Sequence, residues 1–91
     1  MNCIVIDDEP LAVKVIEKYL EQVPVVDCLA TFNDPLEALQ YLSKHSVDLL
    51  FLDINMPDLN GLSLLKLLKQ EVLVIFTTAY AEYAVESYEY Q

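Results

Sequence analysis

Residues 49–61 read LLFLDINMPDLNG, an apolar run that ends at Asp53 and continues into a segment dense with turn-forming residues. Four consecutive apolar residues bounded by turn formers are typical of a strand buried on both faces. A helical pattern over residues 62–69 follows directly. A strand, a long loop and a helix in this order predict one unit of an α/β fold with a parallel sheet.

The same alternation of strand and helix extends outward on both sides of this stretch. Upstream, two apolar runs are each followed by an acidic residue, a proline that suits a first helical turn, and a helical pattern. Downstream, a further apolar run precedes a segment with glutamates on one side and apolar residues on the other. The predicted strands are 3–6, 25–32, 49–52 and 72–76, and the helices begin at Pro10, Pro35, Leu62 and Ala81.

The polarity of these strands predicts their order in the sheet. Strand two contains Asp27 and Thr31 and suits an edge, whereas the other three are apolar throughout and suit cover on both faces. This pattern favours a flavodoxin-like, doubly wound parallel sheet with strand order 2-1-3-4. Strand four then forms the opposite edge without Lys, Pro or alternation to protect it, so we expect an additional strand to pair there.

Composition limits the classes of function. A chain of 91 residues fits one domain, and its 55% apolar and 22% charged residues predict a folded one over residues 1–91. Its five cationic residues are all lysines and its net charge is −10, the opposite of what a binder of nucleic acid or of an anionic membrane needs. No apolar run approaches the roughly 18 residues of a membrane span. Together with Asp7 and Asp8 near the N-terminus, where a signal peptide would be apolar, this predicts a cytoplasmic protein.

Two cysteines, Cys3 and Cys28, are too few for a disulfide framework and lack metal-ligand spacing. We interpret them as reduced, buried small hydrophobic residues.

Acidic and hydroxyl side chains follow three of the predicted strands. In an open parallel sheet, ligands bind beyond the carboxyl ends of the strands at the point where the strand order reverses, which here lies between strands one and three. Asp7 and Asp8 end strand one, Asp53 ends strand three, and Thr77 and Thr78 end strand four. We therefore expect these side chains to converge in one crevice.

Three carboxylates that close repel one another unless a cation or a shared proton neutralises them. Hard oxygen ligands at an open, hydrated site select Mg²⁺, with Mn²⁺ as an alternative. A carboxylate beside such an ion can attack a phosphoryl group, and Asp53, alone at its strand end, is the predicted nucleophile. Asp7 and Asp8 are placed to hold metal, and the Thr78 hydroxyl is placed to hydrogen-bond a phosphoryl oxygen.

Residues 3–10, 49–61 and 76–80 together resemble the receiver domains of two-component response regulators, and the resemblance covers the whole chain. It implies a CheY-like fold in which Asp53 accepts phosphate from a histidine kinase and Thr78 reorients toward the phosphoryl group. It also implies that Mg²⁺ is held by Asp7 or Asp8, by Asp53 and by the backbone carbonyl of Asn55. Such a domain is a self-phosphorylating switch and not a turnover enzyme.

Residues 34–39 and 79–88 are similar to receivers attached to LytTR-type DNA-binding domains, which would make the parent protein a transcriptional regulator. The family pattern also includes a fifth strand and helix, with a Lys-Pro pair after that strand, and this sequence contains none of them. We therefore expect a receiver that is incomplete at its C-terminus. Its exposed strand four and helix four would favour a homodimer or strand exchange.

Two other functions remain open from the sequence. A pseudo-receiver would keep the fold and bind partners without being phosphorylated. A phosphohydrolase of the haloacid-dehalogenase type also uses an Asp nucleophile after a parallel strand, but it needs a second Asp two residues on, where this chain has Asn55.

Overall fold

The computed structural model describes residues 1–57 and 59–77 as alternating strands and helices. The elements are β1 (Asn2–Ile6), α1 (Pro10–Leu20), β2 (Asp27–Phe32), α2 (Pro35–Leu42), β3 (Leu49–Leu52), α3 (Gly61–Leu67) and β4 (Leu73–Phe76). All strand pairs are parallel, and the sheet order is β2-β1-β3-β4. The predicted strand order is confirmed, while the predicted helix four lies outside the described residues.

Each described helix begins with a proline, a capping side chain or both. Pro10 and Pro35 occupy first-turn positions of α1 and α2, where the missing amide proton costs no hydrogen bond. The side chain of Asp34 accepts a hydrogen bond from the amide of Leu36 at 2.9 Å. Asn60 caps α3 in the same way. Because the strands are parallel, the loops that precede these helices all lie at the carboxyl ends of the strands.

Strand two is shorter than predicted, because its first two residues belong to a turn. The amide of Val26 donates to the carbonyl of Val23 at 3.0 Å, and Val25 is 73% exposed. Pro24 lies inside this turn, and the sheet pairing starts only at Asp27. The third helix also differs: it ends at Leu67, two residues before the predicted end.

The main core lies between the sheet and the pair α2 and α3. It contains alternate residues of the strands packed on one side of each helix, and its most buried members are Ile4, Ile6, Ala38, Leu50, Leu52 and Leu64. Helix α1 contacts β1 and β2. Strands β1 and β3 are the central strands of the sheet, as expected of strands that are apolar on both faces.

Strand β4 is covered on one face only within the described part of the chain. Val74 is buried in the main core, but Leu73 is 51% exposed and Ile75 is 41% exposed. The predicted cover on the second face of strand four stays a prediction, because residues 78–91 lie outside the described part of the chain. Among the described residues, no helix is long and apolar enough to cross a lipid bilayer.

Candidate functional site

The ends of β1 and β3 bring two aspartates to neighbouring positions. The amide of Asp53 donates to the carbonyl of Ile6, and the amide of Asp7 donates to the carbonyl of Phe32, each at 3.0 Å. The parallel ladder thus continues one residue beyond both strands. One oxygen from each of Asp7, Asp8 and Asp53 lies within 4.8 Å of the others. The structure brings these three predicted site residues together.

Backbone and side-chain hydrogen bonds fix the orientation of this acidic cluster, formed by Asp7, Asp8 and Asp53. Asp7 is only 5% exposed, and its Oδ1 accepts the amide of Glu9 at 2.9 Å. The carbonyl of Asp7 accepts a hydrogen bond from Nδ2 of Asn33, also at 2.9 Å. Asp53 is half-buried, and its Oδ1 accepts the amide of Asn55 at 3.2 Å. The cluster is therefore held in place while Asp53 stays open to solvent.

Burial and like charge make the cluster reluctant to ionise fully. Burial, followed by the neighbouring Asp7 carboxylate, raises the pKa of Asp53 from 3.8 to about 6, and the Asn55 amide opposes this shift. Burial also raises the pKa of Asp7, with Asp8 adding to the effect. A divalent cation would remove this penalty by offsetting the negative charge. The donor set, three carboxylates at a partly hydrated edge, fits a hard cation such as Mg²⁺.

The loop after Asp53 is folded tightly back on the strand end. Ile54 and Met56 are buried, and Asn55 between them is exposed. The amide of Gly61 donates to the carbonyl of Ile54 at 2.9 Å. A Cβ at position 61 would overlap the backbone carbonyl of Asp53, so only glycine permits this approach. The loop therefore presents Asn55 beside Asp53.

Strand β4 contributes a hydroxyl to the same edge of the sheet. The amide of Thr77 donates to the carbonyl of Leu52 at 3.0 Å, so Thr77 continues the ladder beside Asp53. Its hydroxyl is buried and has no hydrogen-bond partner in the part of the chain that the structure describes. Thr78, the predicted phosphoryl-binding residue, lies outside the described residues.

The roles of Asn33 and Gly61 were not predicted from the sequence. Asn33 follows β2 immediately and ties the edge strand to the carbonyl of Asp7, a contact over 26 positions that no local pattern reveals. Gly61 had a visible signal: it is the one glycine in the chain and closes the turn-rich segment after Asp53. Its sequence position indicated a turn but not the close approach to Asp53.

Comparison with known proteins gives consistent matches. The chain is 35% identical over 92 residues to the transcriptional regulatory protein YpdB of Escherichia coli K12, covering 98% of this chain and 38% of YpdB. The crystal structure of the response regulatory domain of MrkE from Klebsiella pneumoniae superimposes with a TM-score of 0.86 at 32% identity. That match covers 99% of this chain and 76% of the other.

A second solved structure is RcsB from Salmonella enterica serovar Typhimurium, bound to promoter rprA in the presence of the phosphomimetic BeF3−. It matches with a TM-score of 0.81 at 30% identity, over 98% of this chain and 77% of the other. The sequence profile of the response regulator receiver domain matches residues 3–91. With its parallel 2-1-3-4 sheet and the acidic cluster at the ends of β1 and β3, the chain belongs to the response regulator receiver domain family.

Proposed function

We propose that residues 1–91 act as one phosphoacceptor domain in which Asp53 takes a phosphoryl group from a histidine kinase in a Mg²⁺-dependent reaction. The observation that carries the proposal is the approach of Asp7, Asp8 and Asp53 oxygens to within 4.8 Å at the carboxyl ends of adjacent strands. This is the edge at which open α/β sheets bind their ligands.

Asp7 is more buried than Asp8 and Asp53, and this difference supports distinct roles for Asp7 and Asp53. Asp7 is nearly buried and its Oδ1 accepts a backbone amide, so it suits a fixed metal ligand. Asp53 is half-buried with its amide contact long at 3.2 Å, so an oxygen remains open to an incoming donor. We assign the metal to Asp7, Asp8, Asp53 and the backbone carbonyl of Asn55. Bound Mg²⁺, or Mn²⁺ in its place, supplies positive charge that offsets charge on the transferring phosphoryl oxygens.

The reaction at Asp53 is a nucleophilic displacement at phosphorus. A carboxylate oxygen of Asp53 forms a bond to phosphorus while the bond from phosphorus to the kinase imidazole breaks, and that nitrogen keeps the bonding electron pair. The product is an acyl phosphate. We propose that Thr78 then hydrogen-bonds the phosphoryl group and that helix four shifts, so the output is altered partner binding and not a released product.

The relatives support a proposal about the whole protein. YpdB is named a transcriptional regulatory protein, and the RcsB structure contains promoter DNA. The chain spans 38% of the length of YpdB, which leaves room in such proteins for an output domain. We propose a cytoplasmic regulator with a LytTR-type output domain that contacts DNA. The receiver itself, with its net charge of −10, makes no direct contact with nucleic acid.

Intact mass spectrometry tests the proposal. The protein is incubated with Mg²⁺ and acetyl phosphate, and the wild type should gain about 80 Da, the mass of one phosphoryl group. Asp53→Asn should gain nothing, whereas Asp48→Asn, an exposed site before the same strand, should behave as wild type. A gain on the Asp53→Asn protein would remove this residue as the acceptor.

The two alternatives give different results in the same experiment. A pseudo-receiver would bind Mg²⁺ without gaining mass. A phosphohydrolase would release phosphate over many turnovers. We consider turnover disfavoured because Asn55, two residues after Asp53, has an amide and cannot serve as the general acid that this class requires.

A further inference from the structure

Cys3 and Cys28 are direct neighbours on adjacent parallel strands. They are register partners in the β1–β2 ladder, and the register shifts immediately after them so that Ile4 pairs with Ala30. Neighbouring strands lie about 4.8 Å apart. This spacing falls inside the range of about 4.4 to 6.8 Å between α-carbons that a disulfide spans.

Both thiols face helix α1. Cys28 lines a cavity of about 250 Å³ together with Glu17, Leu20 and Glu21 of that helix. Cys3 is fully buried, and it alternates with Ile4, which belongs to the core on the opposite face. The irregularity after Cys3 is what lets Cys28 share this face, because the extra residue, Leu29, has no partner in β1.

The Cys28 thiol, beside its register partner Cys3, donates a hydrogen bond to the carbonyl of Ala30 at 3.6 Å. Burial raises the pKa of Cys3 to about 12, and the neighbouring Cys28 thiol adds to this. Burial also raises the pKa of Cys28, whereas the neighbouring Cys3 thiol opposes this rise. Cys28 is partly exposed whereas Cys3 is buried, so Cys28 is the thiol that a dissolved reagent reaches first.

We propose that Cys3 and Cys28 form a reversible intramolecular disulfide between β1 and β2, with Cys28 as the first thiol to react. The oxidant is a small-molecule disulfide, RSSR. The Cys28 thiolate bonds to one sulfur of RSSR and releases RS⁻. The Cys3 thiolate then bonds to the Cys28 sulfur and releases a second RS⁻. Two protein thiols are oxidised and two RSH molecules are produced, so atoms and electrons balance.

The charges around Cys3 and Cys28 favour an uncharged oxidant. Glu17 and Asp27 are negative groups that disfavour the Cys28 thiolate, and Glu21 lines the same cavity. The amino terminus of Met1 is the positive group acting on Cys3. An uncharged disulfide should therefore reach Cys28 more easily than an anionic one such as oxidised glutathione.

The test uses the full chain under native conditions. Reduced protein is incubated with uncharged hydroxyethyl disulfide, quenched in acid and alkylated after unfolding. We expect the monomer to lose about 2 Da with no free thiol left, and dithiothreitol to reverse the change. Oxidised glutathione should react at least about threefold more slowly at low salt, and the difference should shrink at high salt.

Two variants locate the chemistry. Cys3→Ala should stop at a stable mixed disulfide on Cys28, and Cys28→Ser should leave the buried Cys3 reduced. Oxidised wild type should keep its Mg²⁺ response, because Asp7 lies four residues from Cys3, or about 13 Å along the strand. Three results for the native wild-type protein would overturn the proposal. They are the retention of both thiols, the accumulation of an unresolved adduct on Cys28, and the cross-linking of two molecules. The unfolded chain should oxidise in parallel, which shows that the reagent is active.

Discussion

The backbone of Gly61 packs against the backbone carbonyl of Asp53, with no space between them for a side chain at position 61. The same glycine donates its amide to the carbonyl of Ile54. The start of α3 is thereby attached directly to the residue proposed as phosphoacceptor. A change in the position of α3 must move the Asp53 backbone, and the reverse holds as well.

Gly61→Ala should destabilise the protein by about 1–3 kcal/mol, since the added methyl group meets backbone atoms that cannot rotate away. It should also weaken the Mg²⁺ response, because relief of the overlap displaces Asp53. Urea unfolding with and without Mg²⁺ measures both effects. Ser63→Ala, at an exposed site in the same helix, is the control and should change neither. Equal stability of Gly61→Ala and wild type would show that the loop does not have this close contact.

Millimolar Mg²⁺ should raise the melting temperature, because the ion binds the folded acidic cluster and not the unfolded chain. A concentration of 100 times the dissociation constant stabilises by about 2.7 kcal/mol, and each kcal/mol raises the melting temperature of a domain this size by about 4–8 °C. Asp8→Asn should melt higher than wild type without Mg²⁺ and gain less from it. Glu71→Gln removes an exposed acid elsewhere and should keep the full response. A full response in Asp8→Asn would count against the metal site.

Without metal, stability should fall as the pH rises from about 4 to about 6. The pKa of Asp53 is 3.8 before folding and about 6 in the folded protein, so the folded state holds its proton more tightly. The stabilisation is complete below pH 3.8 and is lost as the pH rises through the folded pKa. Because solvent screens a half-buried group, the free energy of unfolding should change by about 1–2 kcal/mol. Asp53→Asn should lack this part of the pH dependence in urea unfolding series. Because Asp7 and Asp53 influence each other's titration, replacing Asp53 should change the pH profile. A pH profile of Asp53→Asn identical to that of wild type would contradict the raised pKa of Asp53.

We propose that any self-association involves β4, which is an edge strand of the sheet in the described part of the chain. Leu73 is 51% exposed on this edge strand, and an exposed apolar edge favours pairing with a second molecule. Leu73→Lys should shift sedimentation toward monomer. Leu36→Lys provides a matched control, since Leu36 in α2 is also 51% exposed but lies away from the sheet edge. Equal effects of both substitutions would indicate nonspecific hydrophobic association and not pairing through the edge strand.

Strand β3 could be predicted to the residue, because its apolar run is bounded by Asp48 and Asp53. The sheet order followed from the polarity of strand two, since an edge tolerates Asp27 and Thr31. The start of strand two could not be predicted. Val25 and Val26 suit a strand by composition, yet they lie in a turn whose hydrogen bond closes around Pro24.

The parts of the site that escaped prediction depend on contacts across long sequence separations. That acidic residues meet at one edge follows from parallel strands ending together. The hydrogen bond from Asn33 to the Asp7 carbonyl and the approach of Gly61 to Asp53 depend instead on how the loops pack. The position of Cys28 beside Cys3 could not be predicted for the same reason. A one-residue irregularity in the β1–β2 register brings the two residues together, and the spacing of the cysteines in the sequence does not reveal that irregularity.

The pairing of β1 with β3 also bears on how the chain folds. Cys3 pairs with Leu49, so these central strands meet only after a long intervening segment has been closed into a loop. Such nonlocal pairing slows the search for the native topology, because chain entropy is lost before the contacts that compensate for it form. Asp7 and Asp53 become neighbours only when that step is complete. Newly synthesised chains therefore cannot bind a cation at this position before their central strands have joined.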